Sequence, residues 1–251
     1  MKMQDKRAAQ DADRERHLAE IRAVKERRSQ APVFERAPET RTVRQSFLIL
    51  CQGTNTEVDY FEHFELATAD VKALGRAYDP EKLVEEAMQR REAARRQNRP
   101  YDQVWCVFDK DDSSAEQVHA ALAKAKAAKI KVAFSNQAFE FWLLLHFDDH
   151  QGGGMSRTDC AERLSALIAQ TDRRVSYDGK VSKRISRELF DLLEADDPTV
   201  RRGQLPRRKV AVGRARAIDK RWVESGQQPA YQESTTGVYR LVLELQKHLP
   251  A

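Results

Sequence analysis

The 251-residue chain has few cysteines and no long hydrophobic run. A membrane-spanning helix needs about 20 consecutive apolar residues, and the first 30 residues lack the apolar segment of a secretory signal. The three cysteines, Cys51, Cys106 and Cys160, are odd in number and fit no zinc-binding spacing. We therefore expect buried, reduced thiols and a cytoplasmic protein that makes no contact with a membrane.

Several common catalytic motifs are also missing. The sequence contains no G-x-x-x-x-G-K-[ST] loop for nucleotide phosphates, no G-x-G-x-x-G turn, no G-x-S-x-G nucleophile turn and no H-E-x-x-H zinc motif. If the activity of this protein needs ATP, another subunit, such as an ATPase, has to bind it.

Charge is abundant and unevenly distributed. Charged residues make up 33% of the chain and the formal net charge is +5, with a dense basic segment at residues 201–221. Clustered basic side chains attract phosphate backbones, so this segment predicts a nucleic-acid partner; the alternative is a solvated surface. The predicted nucleic-acid contacts are Arg201, Arg202, Arg207, Arg208, Lys209, Arg214 and Arg216, with Lys180 and Lys183 as further candidates.

The distribution of apolar residues divides the chain into three parts. Residues 1–40 form a charged arm, expected to be flexible or helical. Residues 41–150 alternate between apolar strand patterns and amphipathic helix patterns, and residues 151–251 have only helical patterns. This alternation predicts an α/β core with a mainly parallel sheet, followed by a helical C-terminal part.

The individual elements follow from apolar periodicity and capping residues. The predicted strands are residues 46–51, 70–74, 102–108 and 129–135. The predicted helices are residues 57–67, 79–97, 113–129, 139–147, 158–170, 182–193, 209–224 and 235–248.

Polar side chains follow the predicted strands at their carboxyl ends, where open α/β sheets bind ligands. Gln52 and Glu57 follow the first strand, and Asp109, Asp111 and Asp112 follow the third. Period-2 alternation would place Asp109 and Asp111 on the same side if the strand continued that far. Grouped carboxylates repel one another unless a cation is bound, and Mg²⁺ suits such oxygen ligands. We therefore expect a Mg²⁺ or Mn²⁺ site, with a solvated capping turn as the alternative.

Three segments resemble the three sequence blocks of the RloB family in order and spacing. They are "LILCQGTNTEVDYFEHF", "VWCVFDKDD" and "VAFSNQAFEFWLLLHF", with a weaker similarity at "STTGVYRLVLEL". The family is associated with bacterial defence loci, and its core resembles the Toprim fold of primases, topoisomerases and OLD-type nucleases. The resemblance implies a Toprim-like core and a metal-dependent nuclease acting on RNA, tRNA included, or on DNA. Its expected catalytic residues are Glu57, Asp109 and Asp111, with Gln52 and Glu140 as lesser partners. The alternative is a degenerate nucleic-acid-binding or partner-regulated defence subunit.

One position departs from the pattern of this family. Toprim proteins have Glu-Gly after the first strand and Asp-x-Asp after the third; Gly53, Asp109 and Asp111 match, but Gln52 replaces the glutamate. Glutamine cannot ionise and cannot act as a general base. Three explanations remain open: Glu57 supplies the carboxylate, the chain is an inactive phosphate-binding relative, or the glutamine is an engineered substitution.

Three further polar residues have both a functional and a structural interpretation. Glu140 is either part of the site or a structural acid near a helix N-terminus. Asn136 is expected to cap the following helix, and His146 is expected to be a core histidine. The sequence leaves the choice of RNA or DNA, the activating trigger and the oligomeric state open.

Overall fold

The computed structural model describes residues 14–26, 44–136, 138–150, 153–198 and 205–250. The chain separates into two compact units, residues 1–42 and residues 43–251. In the first unit, the helix α1 spans residues 14–26 and all of its residues are exposed. The rest of the predicted arm, as well as Arg201 and Arg202, lies outside the described residues.

Five strands of the second unit form one sheet. Four of them are parallel, and the short last strand is antiparallel to its neighbour. The strands are β1 (Gln45–Cys51), β2 (Ala69–Gly75), β3 (Gln103–Asp109), β4 (Lys131–Asn136) and β5 (Thr235–Thr236). Their order in the sheet is β2-β1-β3-β4-β5. The α/β class and the mainly parallel sheet predicted from the sequence are confirmed.

Eight further α-helices of the described chain connect and cover these strands. Two of them begin as their cap residues predict: α3 with Asp79 as N-cap and α4 with a capping box at Ser114. The helices are α2 (Thr56–Glu62), α3 (Pro80–Arg96), α4 (Ala115–Ala127), α5 (Glu140–Leu144), α6 (Arg157–Thr171), α7 (Arg187–Glu194), α8 (Arg207–Ser225) and α9 (Val238–Gln246).

Side chains of β1 alternate between the two faces of the sheet, as strand geometry requires. Phe47, Ile49 and Cys51 pack into a large cluster with α2 and helices α5–α9. Leu48 and Leu50 pack into a smaller cluster with α3 and α4 on the other face. The sheet is therefore the middle layer of three. The C-terminal helices, α6–α9, belong to the same hydrophobic core as the sheet.

The prediction of no strand after residue 150 is wrong. Thr235 and Thr236 form β5 and pair with Asn136 and Ser135 of β4. A two-residue strand is too short to produce a periodic pattern. The sequence pattern therefore predicts these two threonines as the start of the following helix. That helix, α9, begins at Val238 instead.

The sheet changes direction of winding between β1 and β3. The chain proceeds from β1 outwards to β2 on one side, then returns to β3 on the other side. Cys51 of β1 lies beside Val107 of β3, so the loops that follow these two strands diverge and leave a crevice. In open α/β sheets ligands bind in such a crevice.

Gly75, at the end of β2, keeps the first of these loops close to the sheet. A β-carbon at this position would lie 2.5 Å from the Cα atom of Thr54 and 2.7 Å from the carbonyl oxygen of Gly53. These contacts are with backbone atoms, which cannot rotate away as a flexible side chain can. Only glycine therefore allows the Gly53–Thr54 loop to approach β2 this closely.

Among the helices in the described ranges, none is both long enough and apolar enough to cross a lipid bilayer.

Candidate functional site

A cavity of about 230 Å³ opens at the carboxyl ends of β1 and β3. It is lined by the loop after β1, by the end of β3, by the start of α5 and by two segments of the C-terminal part. All five residues predicted to be catalytic line it together: Gln52, Glu57, Asp109, Asp111 and Glu140. The structure therefore brings the predicted acidic group together in one place.

Gln52 supports the backbone of the acidic strand. Its side-chain carbonyl oxygen Oε1 accepts a hydrogen bond of 3.0 Å from the backbone N–H of Asp109. Either a glutamine or a glutamate can accept this bond, because each has a side-chain oxygen at the same position. Gln52 thus ties β1 to β3 at the crevice and adds no negative charge there.

Glu57 reaches back from the first turn of α2 into the cavity. Its Oε1 accepts a hydrogen bond of 3.1 Å from the backbone N–H of Gly53. A β-carbon on Gly53 would lie 2.0 Å from Glu57 Oε2, so the glycine makes this approach possible. Burial raises the pKa of Glu57 from 4.5 to about 7, with Glu140 contributing in the same direction.

Asp109, the last residue of β3, is only 3% exposed. Its Oδ2 accepts a hydrogen bond of 3.0 Å from the backbone N–H of Phe139, just before α5. Its Oδ1 is buried and has no hydrogen-bond partner among the described residues. Burial raises the pKa of Asp109 well above its usual value, and the carboxylates of Glu57 and Glu140 raise it further.

Asp111 reaches the cavity by a different route from the predicted one. The strand ends at Asp109, and Asp111 lies in a turn with a positive φ of 39°, so period-2 alternation does not orient its side chain. Asp111 Oδ1 instead forms an ion pair of 2.5 Å with Arg157 Nη1. Asp112, the third predicted metal ligand of this segment, is exposed and is not part of the cavity lining.

Glu140, at the start of α5, is 2% exposed. Its Oε1 accepts a hydrogen bond of 3.2 Å from the hydroxyl group of Tyr177. Burial raises the pKa of Tyr177, and Glu140 raises it further, so the tyrosine stays a neutral donor at physiological pH. Glu140 thus has both a structural partner and a place in the cavity wall.

The segment 177–185 contributes Lys183 to the cavity lining, and side chains of the loop after β1 and of α2 hold its backbone. Asn55 Nδ2 donates a hydrogen bond of 3.0 Å to the carbonyl oxygen of Ser182, and Thr56 Oγ1 donates one of 2.8 Å to that of Lys183. These bonds hold Lys183 in the cavity lining. Lys180, the other lysine predicted here, is exposed and pairs with Glu162, so it does not reach the site.

Arg157 is the residue of this site that the sequence analysis missed. It is the first residue of α6, directly after the N-cap Ser156, and it lines the cavity beside Asp111. Burial lowers the pKa of Arg157, but Glu140 and Asp111 outweigh this effect and raise it. A cation is unfavourable at a helix N-terminus, where the macrodipole is positive. An arginine in the first turn of a helix therefore indicates that an acidic partner lies nearby, and here that partner is Asp111.

Two predictions about neighbouring polar residues have different outcomes. The prediction that Asn136 caps the following helix is wrong, because its Nδ2 donates to the carbonyl oxygen of Ala230 instead and Asp109 accepts from the Phe139 N–H. The core assignment of His146 is confirmed. It is fully buried, its Nδ1 lies 3.0 Å from the carbonyl oxygen of Trp142, and burial lowers its pKa to about 3.

Part of the predicted basic track lies in the protein interior, among the residues that the structure describes. Arg207 and Arg208 are buried; Arg207 contacts the ring of Phe147 and Arg208 forms an ion pair with Glu194. Arg214 donates a hydrogen bond of 2.7 Å to the carbonyl oxygen of Leu145. The expectation of a surface track is therefore wrong for Arg207 and Arg208, and Arg214 is mostly buried. The exposed predicted contacts in α8 are Lys209 and Arg216.

The raised pKa of Glu57 makes folding stability depend on pH. A carboxyl group with a higher pKa in the folded chain binds more protons there, so it stabilises the fold at low pH and loses this effect as pH rises. For Glu57 the loss falls between pH 4.5 and about 7. At about 1.4 kcal/mol per pH unit, we expect the metal-free protein to lose about 3 kcal/mol over this window.

The variant Glu57→Gln removes this ionisation and should reduce the loss, while the part that comes from Asp109, whose pKa burial also raises, remains. Urea unfolding at pH 5 and pH 7.5 measures the change in the free energy of unfolding. Glu62→Gln is the matched control, because Glu62 is an exposed acid of the same helix and its removal should leave the pH dependence unchanged. An equally steep loss in Glu57→Gln would contradict the assignment to Glu57.

Within the ranges given above, no group of three or more His, Cys, Asp or Glu side chains is arranged to hold a metal ion. Asp111, one of the carboxylates that line the cavity, is engaged by Arg157.

Comparison with known proteins gives a family and nothing closer. No curated protein and no solved structure matches the chain. The family model of RloB-like proteins matches residues 47–245, which include β1 from its third residue onwards, the other four strands and every residue that lines the acidic cavity. This match covers most of the chain, so the protein belongs to the RloB-like family.

Proposed function

We propose that this protein is a Mg²⁺-dependent nuclease. The observation that carries the proposal is the buried carboxylate of Asp109, whose Oδ1 has no partner among the described residues. A buried polar atom without a partner costs stability, and Asp109 lies beside Glu57 and Asp111 in the crevice between β1 and β3. A cation bound there would satisfy Asp109 and relieve the repulsion between these acids.

The donors of the cavity fit the chemistry of Mg²⁺. This ion prefers oxygen ligands, and it needs only one or two protein carboxylates because it keeps several waters and takes substrate phosphates. Asp109 would be the main ligand and Asp111 the second, with Glu57 beside them. When bound, Mg²⁺ would supply positive charge that polarises a phosphodiester and lowers the pKa of water.

Side chains of the protein would bind the phosphate group and accept the proton of the attacking water. Arg157 and Lys183 bring positive charge to the cavity and would bind the phosphate group, as Arg and Lys do at phosphate sites. Glu57 is the candidate general base, because its carboxylate lines the cavity and it is its Oε1 that accepts from the Gly53 N–H. Its Oε2 would accept the proton of the attacking water.

The substrate is proposed to be RNA or DNA. The resemblance to proteins of bacterial defence loci supports a role against invading nucleic acid, and the two cations of the cavity support a phosphodiester as the reacting group. With Arg207 and Arg208 inside the protein, Lys209 and Arg216 remain as the candidates in α8 for contact with the backbone.

A second candidate function is binding of nucleic acid without cleavage. It is favoured by two contacts: Gln52 is neutral and bonded to the Asp109 backbone, and Asp111 is paired with Arg157. In this case the cavity would hold a phosphate but would not hydrolyse it.

The test compares the wild type with Gln52→Glu on labelled RNA and DNA, with Mg²⁺ or Mn²⁺ and without metal. Glutamate keeps an oxygen for the Asp109 N–H and adds a negative charge beside the proposed cation. This charge should lower the Mg²⁺ concentration for half-maximal cleavage at least about tenfold, because a tenfold change needs about 1.4 kcal/mol and two opposite unit charges about 4 Å apart attract each other by about 4 kcal/mol at an effective dielectric constant of about 20.

The expected result is metal-dependent cleavage in both proteins, at lower Mg²⁺ in the variant. Glu62→Gln, which changes an exposed acid outside the cavity, is the control and should behave like the wild type. Binding of nucleic acid without cleavage in both proteins would favour the second candidate and overturn the nuclease proposal.

A further inference from the structure

Arg157 uses only part of its hydrogen-bonding capacity on residues that the structure describes. Its Nη1 forms the ion pair with Asp111, and its Nε is buried without a hydrogen-bond partner among the described residues. It lines the same cavity as Asp109. The guanidinium group therefore has hydrogen-bonding capacity that no described residue uses, beside the cavity where a phosphate is proposed to bind.

The ion pair also restricts Asp111. Asp111 Oδ1 accepts from Arg157, and a metal ion at Asp109 would have to compete with the guanidinium for that carboxylate. An arginine binds phosphate as readily as carboxylate, because its planar fork matches both groups. A phosphodiester that enters the cavity can thus take the place of Asp111 on Arg157.

We infer, on the basis of the proposed metal site, that Arg157 exchanges partners on substrate binding, from Asp111 to the phosphate, and thereby frees Asp111 for the metal ion. Metal and nucleic acid then bind with positive coupling, and coupling of this kind is reciprocal. The free protein holds its metal weakly, and the complete site forms only with a phosphate present.

The experiment measures binding of Mn²⁺ by the loss of the free-ion electron paramagnetic resonance signal. Each protein is titrated alone, then with a short single-stranded RNA or a DNA of the same sequence, both with a charged phosphorothioate backbone to slow cleavage, and gels confirm that the oligonucleotide stays intact during the titration. A methylphosphonate oligonucleotide, with the same bases and a neutral backbone, separates the effect of phosphate charge from that of the bases.

For the wild type we expect the oligonucleotide to tighten Mn²⁺ binding at least about fivefold, the lower end of common coupling factors, and the methylphosphonate to have no effect. For Arg157→Gln we expect Mn²⁺ to bind at least about fivefold more tightly than to the wild type without oligonucleotide. The oligonucleotide should then add less than about twofold, because Asp111 is already free.

Two control variants separate partner exchange from the simple loss of a positive charge. Lys183→Gln removes a cation from the same cavity without freeing Asp111, so it should weaken binding of the oligonucleotide but keep the coupling once the oligonucleotide is at a saturating concentration. Arg163→Gln breaks another Arg–Asp pair of α6, with Asp148, and should match the wild type.

A further variant, Arg157→Lys, keeps the positive charge but has a single donor group, so we expect its coupling to lie between those of the wild type and Arg157→Gln. It replaces Arg157→Gln in the test if that variant folds poorly.

Unchanged coupling in Arg157→Gln, or Mn²⁺ binding no tighter than in the wild type, would overturn the inference alone. The proposed metal site is tested separately by Asp109→Asn. If Mn²⁺ binds to that variant as it does to the wild type, or binds to neither, the proposed site fails and the inference fails with it.

Discussion

Asp109→Asn is expected to reduce metal-dependent cleavage at least about a thousandfold, equivalent to about 4 kcal/mol of transition-state stabilisation. Asparagine retains the shape of the side chain and an oxygen that can accept from the Phe139 N–H, the partner of Asp109 Oδ2. It removes the negative charge of the residue proposed to be the main metal ligand. Single-turnover cleavage of labelled nucleic acid at saturating protein measures the loss.

Stability distinguishes this effect from unfolding. Burial and the neighbouring carboxylates raise the pKa of Asp109, so its ionised form is unfavourable in the metal-free fold. Asp109→Asn should therefore unfold at an equal or higher temperature than the wild type at neutral pH without metal. Asp112→Asn is the matched control: an exposed neighbour outside the cavity, expected to leave cleavage unchanged. Cleavage that survives in Asp109→Asn would contradict the proposed site.

Arg208→Ala is expected to destabilise the fold by about 3–5 kcal/mol, the usual cost of breaking a buried ion pair. The side chain of Arg208 is 10% exposed and that of its partner Glu194 is 22% exposed. Without the arginine, Glu194 would keep a buried carboxylate whose pKa burial already raises. Urea unfolding at pH 7 measures the loss.

The adjacent residue Lys209 is the control for Arg208. It has the same charge and lies on the same helix but is exposed, so Lys209→Ala should change stability by less than about 0.5 kcal/mol. If Arg208→Ala kept full stability and instead weakened nucleic-acid binding, Arg208 would have to be assigned to a nucleic-acid surface after all.

The sheet and the acidic group were predictable because they depend on local patterns. Phe47 to Cys51 is a continuous apolar run, typical of a buried parallel strand. Parallel strands bring their carboxyl ends to one edge, so Glu57 and Asp109 had to lie near each other once the strands were identified. The N-caps at Asp79 and Ser114 likewise act within one helical turn.

The parts that were not predictable depend on contacts between distant segments. The sequence does not distinguish a solvated basic residue, such as Lys209, from one that is paired inside the protein, such as Arg208. The same holds for Arg157, whose partner Asp111 is 46 residues away. Asparagine commonly caps helices, but the side-chain amide of Asn136 donates to the carbonyl oxygen of Ala230, 94 residues further along the chain.

The hydrogen bonds from Asn55 and Thr56 to the 182–183 segment span 127 residues, and this distance has a consequence for synthesis on the ribosome. The chain emerges with its N-terminal part first, so Glu57 and Asp109 leave the exit tunnel well before Arg157 and Lys183. Until then the carboxylates of the cavity lack their neighbouring cations, Arg157 and Lys183. Closure of so long a loop also carries an entropic cost. The nascent protein therefore completes its acidic cavity late, after most of the chain has been made.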